Sequence, residues 1–232
     1  MDLSGRTALV TGANRGLGRH FAEQLLKRGA MVYAGARNPS SVDLPGVIPI
    51  ALDVTDPESV AAAARTATGV SILINNAGSY TRASLVEGSL EDIRLEMDTH
   101  FFGTLAVTRA FAPQLAEHDN SAVLNVLSVL SWINAPGFAA YAAAKSAQWS
   151  LTNALRNELA DQGTQVTALH VGFLDTDMAA GIDAPKNDPA TIAGLALDGV
   201  AAGEVEVVAD DHSRSVQAQL AGGVAALYPK FA

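Results

Sequence analysis

The chain has 232 residues, 49% of them apolar, a formal net charge of −9 and no cysteine. That length and composition support one sizeable core, so a single domain over residues 1–232 is expected. The negative balance argues against a nucleic-acid partner, which needs a basic face, and the missing cysteines exclude disulfides, thiolate nucleophiles and zinc–thiolate sites.

Short apolar runs alternate with longer helical patterns. Strands are expected at residues 7–10, 31–34, 47–52, 71–74, 122–127, 165–171 and 205–208, and helices at 17–28, 57–67, 90–117, 139–162 and 189–202. Continuous apolar strands separated by helices indicate a parallel sheet covered on both faces. The fold class is therefore α/β, a doubly wound seven-stranded parallel sheet with ligands at the carboxyl ends of its strands. Residues 181–188, with Gly, Pro, Lys, Asn and Asp, read as a small lid after the sixth strand. The opening residues do not form a signal peptide, and no uncharged apolar run reaches membrane-spanning length. A cytoplasmic protein with no membrane partner is expected.

The first strand runs into Thr11-Gly12-Ala13-Asn14-Arg15-Gly16-Leu17-Gly18, and a helical pattern begins at once. Gly12 permits a tight turn, Gly16 a close approach to a pyrophosphate, and Gly18 close packing of helix on strand. The helix N-terminus then offers free N–H groups and partial positive charge to phosphates. Gly12, Asn14, Arg15, Gly16, Leu17 and Gly18 are the binding candidates of this loop. A ligand-free glycine turn is the rival reading, and the strand-before, helix-after setting weighs against it.

Tyr141-Ala142-Ala143-Ala144-Lys145 opens a later helix. Residues four apart share a helix face, so phenol and ammonium can converge. A free tyrosine titrates near ~10, too high for a good base at neutral pH, and a nearby cation favours the phenolate. The pair suits general acid/base work on a carbonyl or alcohol. Chance placement of a surface pair is the alternative. The three intervening alanines favour the helix and let a ligand come close.

Taken together, these segments resemble the short-chain dehydrogenase/reductase family in its compact, single-domain, Rossmann-type branch. The resemblance covers nearly the whole chain. The loop matches Thr-Gly-x-x-x-Gly-x-Gly, and Asn75-Asn76-Ala77-Gly78 closes strand four as the family's Asn-Asn-Ala-Gly does. Ser128 precedes Tyr141 at the family's spacing, and residues 172–178 resemble the segment that meets the nicotinamide.

The resemblance implies roles. Tyr141 would give a proton to a carbonyl oxygen or take one from an alcohol. Lys145 would lower the Tyr141 pKa and hydrogen-bond the nicotinamide ribose, so both also count as cofactor contacts. Ser128 would hold the substrate oxygen, an oxyanion-stabilising role, with Ser131 as its rival. Asp53 and Val54 would border the adenine. Asn76, Ala77 and Gly78 would pass close to the cofactor, as would Gly172, Leu174 and Thr176. No metal site is expected. Two positions depart from the family. His100 stands where it has an asparagine that holds a water in the proton path. Either the imidazole replaces that relay or it is a packed, satisfied histidine. Val171 replaces a proline before Gly172.

NAD-specific members carry an acid at the end of strand two, and here Ala36 takes that place. Arg37 follows it and Arg15 lies in the loop, two guanidiniums suited to a 2′-phosphate. NADP(H) is the expected cofactor, unless both arginines are simply solvated. Tyr80, Trp132, Phe138, Phe173 and Met178 either line an apolar pocket or pack in the core. The expected partner is a small-molecule carbonyl or alcohol. Association into a homodimer or homotetramer through the long helices is a further implication. An NAD-dependent alcohol dehydrogenase, a catalytically silent NADP(H)-binding regulator and a structural subunit are the alternatives.

Overall fold

The computed structural model describes residues 1–231. Seven strands form one sheet: β1 (Thr7–Thr11), β2 (Met31–Ala36), β3 (Ile48–Ala51), β4 (Ile72–Asn75), β5 (Ala122–Val126), β6 (Gln165–His170) and β7 (Glu206–Val208). Their spatial order is β3-β2-β1-β4-β5-β6-β7, and every pairing is parallel. The chain thus builds outward from β1 in one direction, then crosses to β4 and builds in the other. The crevice at this reversal, above the ends of β1 and β4, is where an open α/β sheet binds ligands.

Helices cover both faces: α1 (Gly16–Lys27), α2 (Pro57–Thr66), α3 (Leu90–Met97), α4 (Thr104–Ala116), α5 (Ala139–Glu158) and α6 (Pro189–Ala202). The two faces bury separate apolar sets because side chains alternate along each strand. Val10, Ile74 and Leu124 pack with Phe21 and Leu25 of α1 and Leu197 of α6. Leu9, Leu73 and Val123 pack on the other face with Phe111 of α4 and Leu155 of α5.

The expected seven strands and the parallel sheet are present. The expected helix at 90–117 is instead three pieces, because residues Asp98–Gly103 widen into a π-helical stretch between α3 and α4. Such insertions are rare and concentrate at functional sites. Gly103 ends this stretch, and a Cβ there would fall 2.8 Å from Val54 Cγ2. Two further helices, α7 (Asp211–Gln219) and α8 (Gly223–Leu227), follow β7 and were not anticipated. Of the nine residues of α7 only Ser213 and Val216 are buried, so it shows no readable apolar stripe. No helix among the described residues is long and apolar enough to cross a membrane.

Candidate active site

The glycine loop is built as a cradle. Gly12 and Gly16 both adopt positive φ, 65° and 53°, which side chains other than glycine seldom tolerate. A Cβ on Gly18 would fall 2.2 Å from the Gly12 carbonyl oxygen. The N-terminus of α1 has no side-chain cap and no acid in its first turn, so its N–H groups face outward unneutralised. Leu17 is buried in the core, which leaves only its backbone N–H for a ligand. These features fit the pyrophosphate of a dinucleotide.

Thr11 locks the cradle to the end of β4. Its hydroxyl accepts the amides of Asn76 and Ala77, both at 2.9 Å. The Asn76 side chain donates back to the carbonyls of Thr11 and Gly12. Asn76 is therefore a clamp on the loop, and its side chain is not free for a cofactor. Gly78 is exposed, on the open side of this turn. Asp53 accepts from the amide and hydroxyl of Thr55 in the turn after β3, with Val54 beside it. Ala36 is buried at the end of β2, while Arg37 is exposed just beyond it. Arg15 is exposed and reaches Asp177 at 3.7 Å.

The segment after β6 is pinned from below. The Asp210 carboxylate accepts the Gly172 amide at 2.6 Å, the Asn187 side-chain amide at 3.2 Å and the Ser213 amide at 2.7 Å. Leu174 pairs with Asn187, so the lid between them closes as a loop tied at its base. Thr176 lies 3.4 Å from where a Cβ on Gly16 would be. The lid thus starts directly over the glycine cradle.

Ser128, Tyr141 and Lys145 converge beyond the end of β5. Ser128 opens a short 3-10 turn, Val129–Ser131, and its hydroxyl accepts the Leu130 amide at 3.1 Å. That contact uses a lone pair and leaves the hydroxyl proton free to turn to the nearby Tyr141 phenol, whose pKa it lowers. Ser131 is buried, and its hydroxyl accepts the Ser128 amide. It supports the turn and does not compete for Tyr141. Lys145 Nζ lies 5.7 Å from the Tyr141 ring centroid and donates to the Val126 carbonyl and Gln148. Burial raises the Tyr141 pKa above the ordinary phenol value, the Glu96 charge adds to this, and Ser128 opposes it. Burial pulls Lys145 down to about 7, against the pull of Glu96.

His100 sits in the π-helical stretch, 1% exposed, with its ring edge-on to Tyr141 at 5.2 Å between centroids. It is also packed on the cofactor side, because a Cβ on Gly78 would come within 2.9 Å of His100 Cε1. The structure thus places it beside Tyr141. Sequence reasoning missed its partner, Glu96, one helical turn earlier and fully buried. The i, i+4 spacing was the available signal. Asp210 was also missed, since nothing in its local sequence ties it to Gly172.

The apolar residues divide. Tyr80 stacks on Phe138 at 5.1 Å and meets Tyr141 edge-on, and Phe138 lies 5.6 Å from Phe173. Together they form an aromatic cluster beside Tyr141. Met178 reaches over from the lid to within 3.7 Å of the Gly78 Cβ position. Trp132 lies with Phe138 and Tyr141 in one apolar cluster and is the buried member among them. It is buried flat against His170, 3.8 Å between ring centroids.

The sequence pattern of the family described as short chain dehydrogenase matches residues 6–187. The chain is 34% identical over 197 residues to a 3-oxoacyl-[acyl-carrier-protein] reductase of Vibrio cholerae, covering 79% of each chain. It is 35% identical over 190 residues to a gluconate 5-dehydrogenase of Gluconobacter oxydans, covering 76% of this chain and 74% of that one. A short chain dehydrogenase of Burkholderia cenocepacia, solved in complex with NADP, superposes with a TM-score of 0.94 at 36% identity, over 99% of this chain and 98% of that one. The fold and the matched sequence agree with these relatives, and the chain belongs to the short chain dehydrogenase family of oxidoreductases.

Proposed function

We propose that the protein transfers a hydride between NADP(H) and a small carbonyl or alcohol substrate, with Tyr141 as the proton donor in reduction and the acceptor in oxidation. The convergence of Ser128, Tyr141 and Lys145 beside the glycine cradle carries this reading. A nicotinamide, when bound, supplies or accepts the hydride. Ser128 turns its hydroxyl to the substrate oxygen and aligns it with the phenol. Tyr141 passes its proton to that oxygen. Lys145, close to the ring, stabilises the phenolate left behind. Gly172, Leu174 and Thr176 close over the reacting end, tied down through Asp210.

NADP(H) is favoured over NAD(H) by Ala36 at the end of β2 and the exposed Arg37 after it. The NADP complex of the Burkholderia relative supports the same choice. The Tyr80, Phe138 and Phe173 cluster favours an apolar or aromatic substrate. His100 is read as a proton relay. Its ring stands edge-on to Tyr141, and its Nδ1 is buried without a hydrogen-bond partner among the described residues. Pairing with a second copy would use the two long helical stretches, 90–116 and 139–158.

The test is NADPH oxidation, followed by absorbance, against a panel of aldehydes, ketones and diones. Turnover of aromatic carbonyls, faster with NADPH than with NADH, is the expected result. Tight NADPH binding with no turnover of any carbonyl would instead fit a silent regulator.

A further inference from the structure

Glu96 is a carboxylate with no exposure in a site where carboxylates are costly to bury. It is fully engaged. Oε1 accepts the Thr81 amide at 2.5 Å, Oε2 accepts the Ser79 hydroxyl at 2.8 Å, and His100 Nε2 lies 3.3 Å from Oε2. Burial pushes its pKa upward, but the hydrogen bonds from His100, Thr81 and Ser79 outweigh this and hold it below the usual glutamate value. The carboxylate is therefore ionised at neutral pH. His100 is held below its ordinary pKa by burial and by the Lys145 charge, so it faces Glu96 as a neutral imidazole.

A neutral imidazole carries one proton, and its surroundings decide where. Nε2 has two acceptors beside it, the Ser79 carbonyl at 3.0 Å and the Glu96 carboxylate. One neutral donor, the Ser79 amide at 3.3 Å, pulls the other way. Two acceptors, one of them ionised, outweigh it. The proton then sits on Nε2, and Nδ1 carries the lone pair, buried and without a partner among the described residues. The same ring stands edge-on to Tyr141 and against Gly78.

We propose that Glu96 is a positioning residue for the reaction: its carboxylate fixes the Nε2–H form of His100 and the ring's stance against Tyr141. This rests on the hydride-transfer reading above and extends it to a residue that touches neither substrate nor cofactor. The ionisable groups that face the couple are Tyr141 and Lys145 on α5 and Tyr80 on the loop after β4. The Glu96 charge raises the pKa of all three, which keeps Tyr141 protonated as an acid.

Nitrogen-15 spectra of the full-length protein, with the His100 signal identified by its loss in His100→Asn, read the tautomer without needing turnover. Neutral Nε2–H in the wild type, giving way to a mixture or to Nδ1–H in Glu96→Gln, is expected. An Nδ1–H or cationic wild-type ring, or an unchanged tautomer in Glu96→Gln, overturns the proposal. Should Glu96→Gln fail to fold, Glu96→Asp draws the carboxylate back by one methylene and is judged the same way. In kinetics with NADPH and the best carbonyl of the panel, Glu96→Gln should lower kcat at least about tenfold, with KM and NADPH Kd within about twofold. The loss should not add to that of His100→Asn, and additive losses would overturn the coupling. A wild type with the Nε2–H ring but no turnover counts against hydride transfer, not against the tautomer assignment.

Discussion

Gly18 and Gly12 touch so closely that a Cβ on the first would lie 2.2 Å from the carbonyl oxygen of the second. The same Cβ would lie 2.4 Å from Asn76 Nδ2, the clamp between the cradle and β4. Nothing there is the loose end of a flexible chain, so the helix must move away from the loop. Gly18→Ala should cost about 1–3 kcal/mol in urea unfolding and weaken NADPH binding at least about tenfold by displacing the α1 N-terminus. Gly194 is the control, because it lies inside α6 with open space around its Cβ position. Gly194→Ala should gain roughly 0.5–1 kcal/mol from the lower entropy of the unfolded chain. Equal effects of the two changes would refute the packing argument.

Tyr141→Phe removes one oxygen from the convergence point and leaves the ring against Tyr80 and His100. Binding should survive, because the cradle and the lid are untouched. The expected result is a kcat at least ~10²-fold lower with NADPH Kd within about twofold. Turnover near the wild-type rate would remove Tyr141 as the proton donor and shift attention to Ser128 and His100.

Lys145 links the site to stability. Its pKa falls from 10.5 in the ordinary side chain to about 7 in the folded protein, because burial disfavours the ammonium. Between these values the unfolded chain holds a proton that the folded one does not, so unfolding free energy rises with pH. The burden is fully present below about 7 and is lifted as pH approaches 10.5. Ligand-free wild type should therefore be more stable towards urea at about pH 9.5 than at about pH 7.5, and Lys145→Met should show a smaller rise. The comparison cancels other groups that titrate in the same window. An identical rise in both proteins would mean that Lys145 keeps its charge when buried.

Much of this was legible in the sequence, for physical reasons that also mark where legibility stopped. The central strands, buried on both faces, read as continuous apolar runs; the edge strands β3 and β7 are less buried but keep short apolar runs, and Gly12, Gly16 and Gly18 announced a turn that only glycine can make. Tyr141 and Lys145 were visible because one helical turn separates them. What escaped depended on partners distant in sequence. Ser128 was preferred to Ser131 on its spacing to Tyr141, but the role of Ser131 in propping the turn that presents Ser128 appears only in the fold. Asp210 holds Gly172 from 38 residues away. The stacking of Trp132 on His170 joins the ends of two different strands and could not be read locally. The π-helical stretch that carries His100 lies within apolar periodicity that reads as one continuous helix, because a widened turn changes hydrogen bonding and not composition.

The cofactor preference can be tested on Arg37 and Arg15 separately, since their surroundings differ. Arg37 is exposed beyond β2 and makes no ion pair among the described residues, so its guanidinium is available to a 2′-phosphate. Arg15 pairs with Asp177 across 3.7 Å, but both side chains are largely exposed, at 69% and 81%. Such a pair contributes about 0–1 kcal/mol and yields readily to a dianionic phosphate. A charge-assisted bond to phosphate is worth about 1.5–3 kcal/mol. Arg37→Ala should therefore weaken NADPH binding about ten- to hundredfold and leave NADH within about twofold. Arg15→Ala should act in the same direction but by less, because Arg15 must give up its pairing with Asp177 to meet the phosphate. Raising the salt concentration should weaken NADPH in the wild type and narrow the gap between wild type and Arg37→Ala. If Arg37→Ala costs NADH as much as NADPH, the arginine serves the shape of the adenosine site and the 2′-phosphate assignment fails.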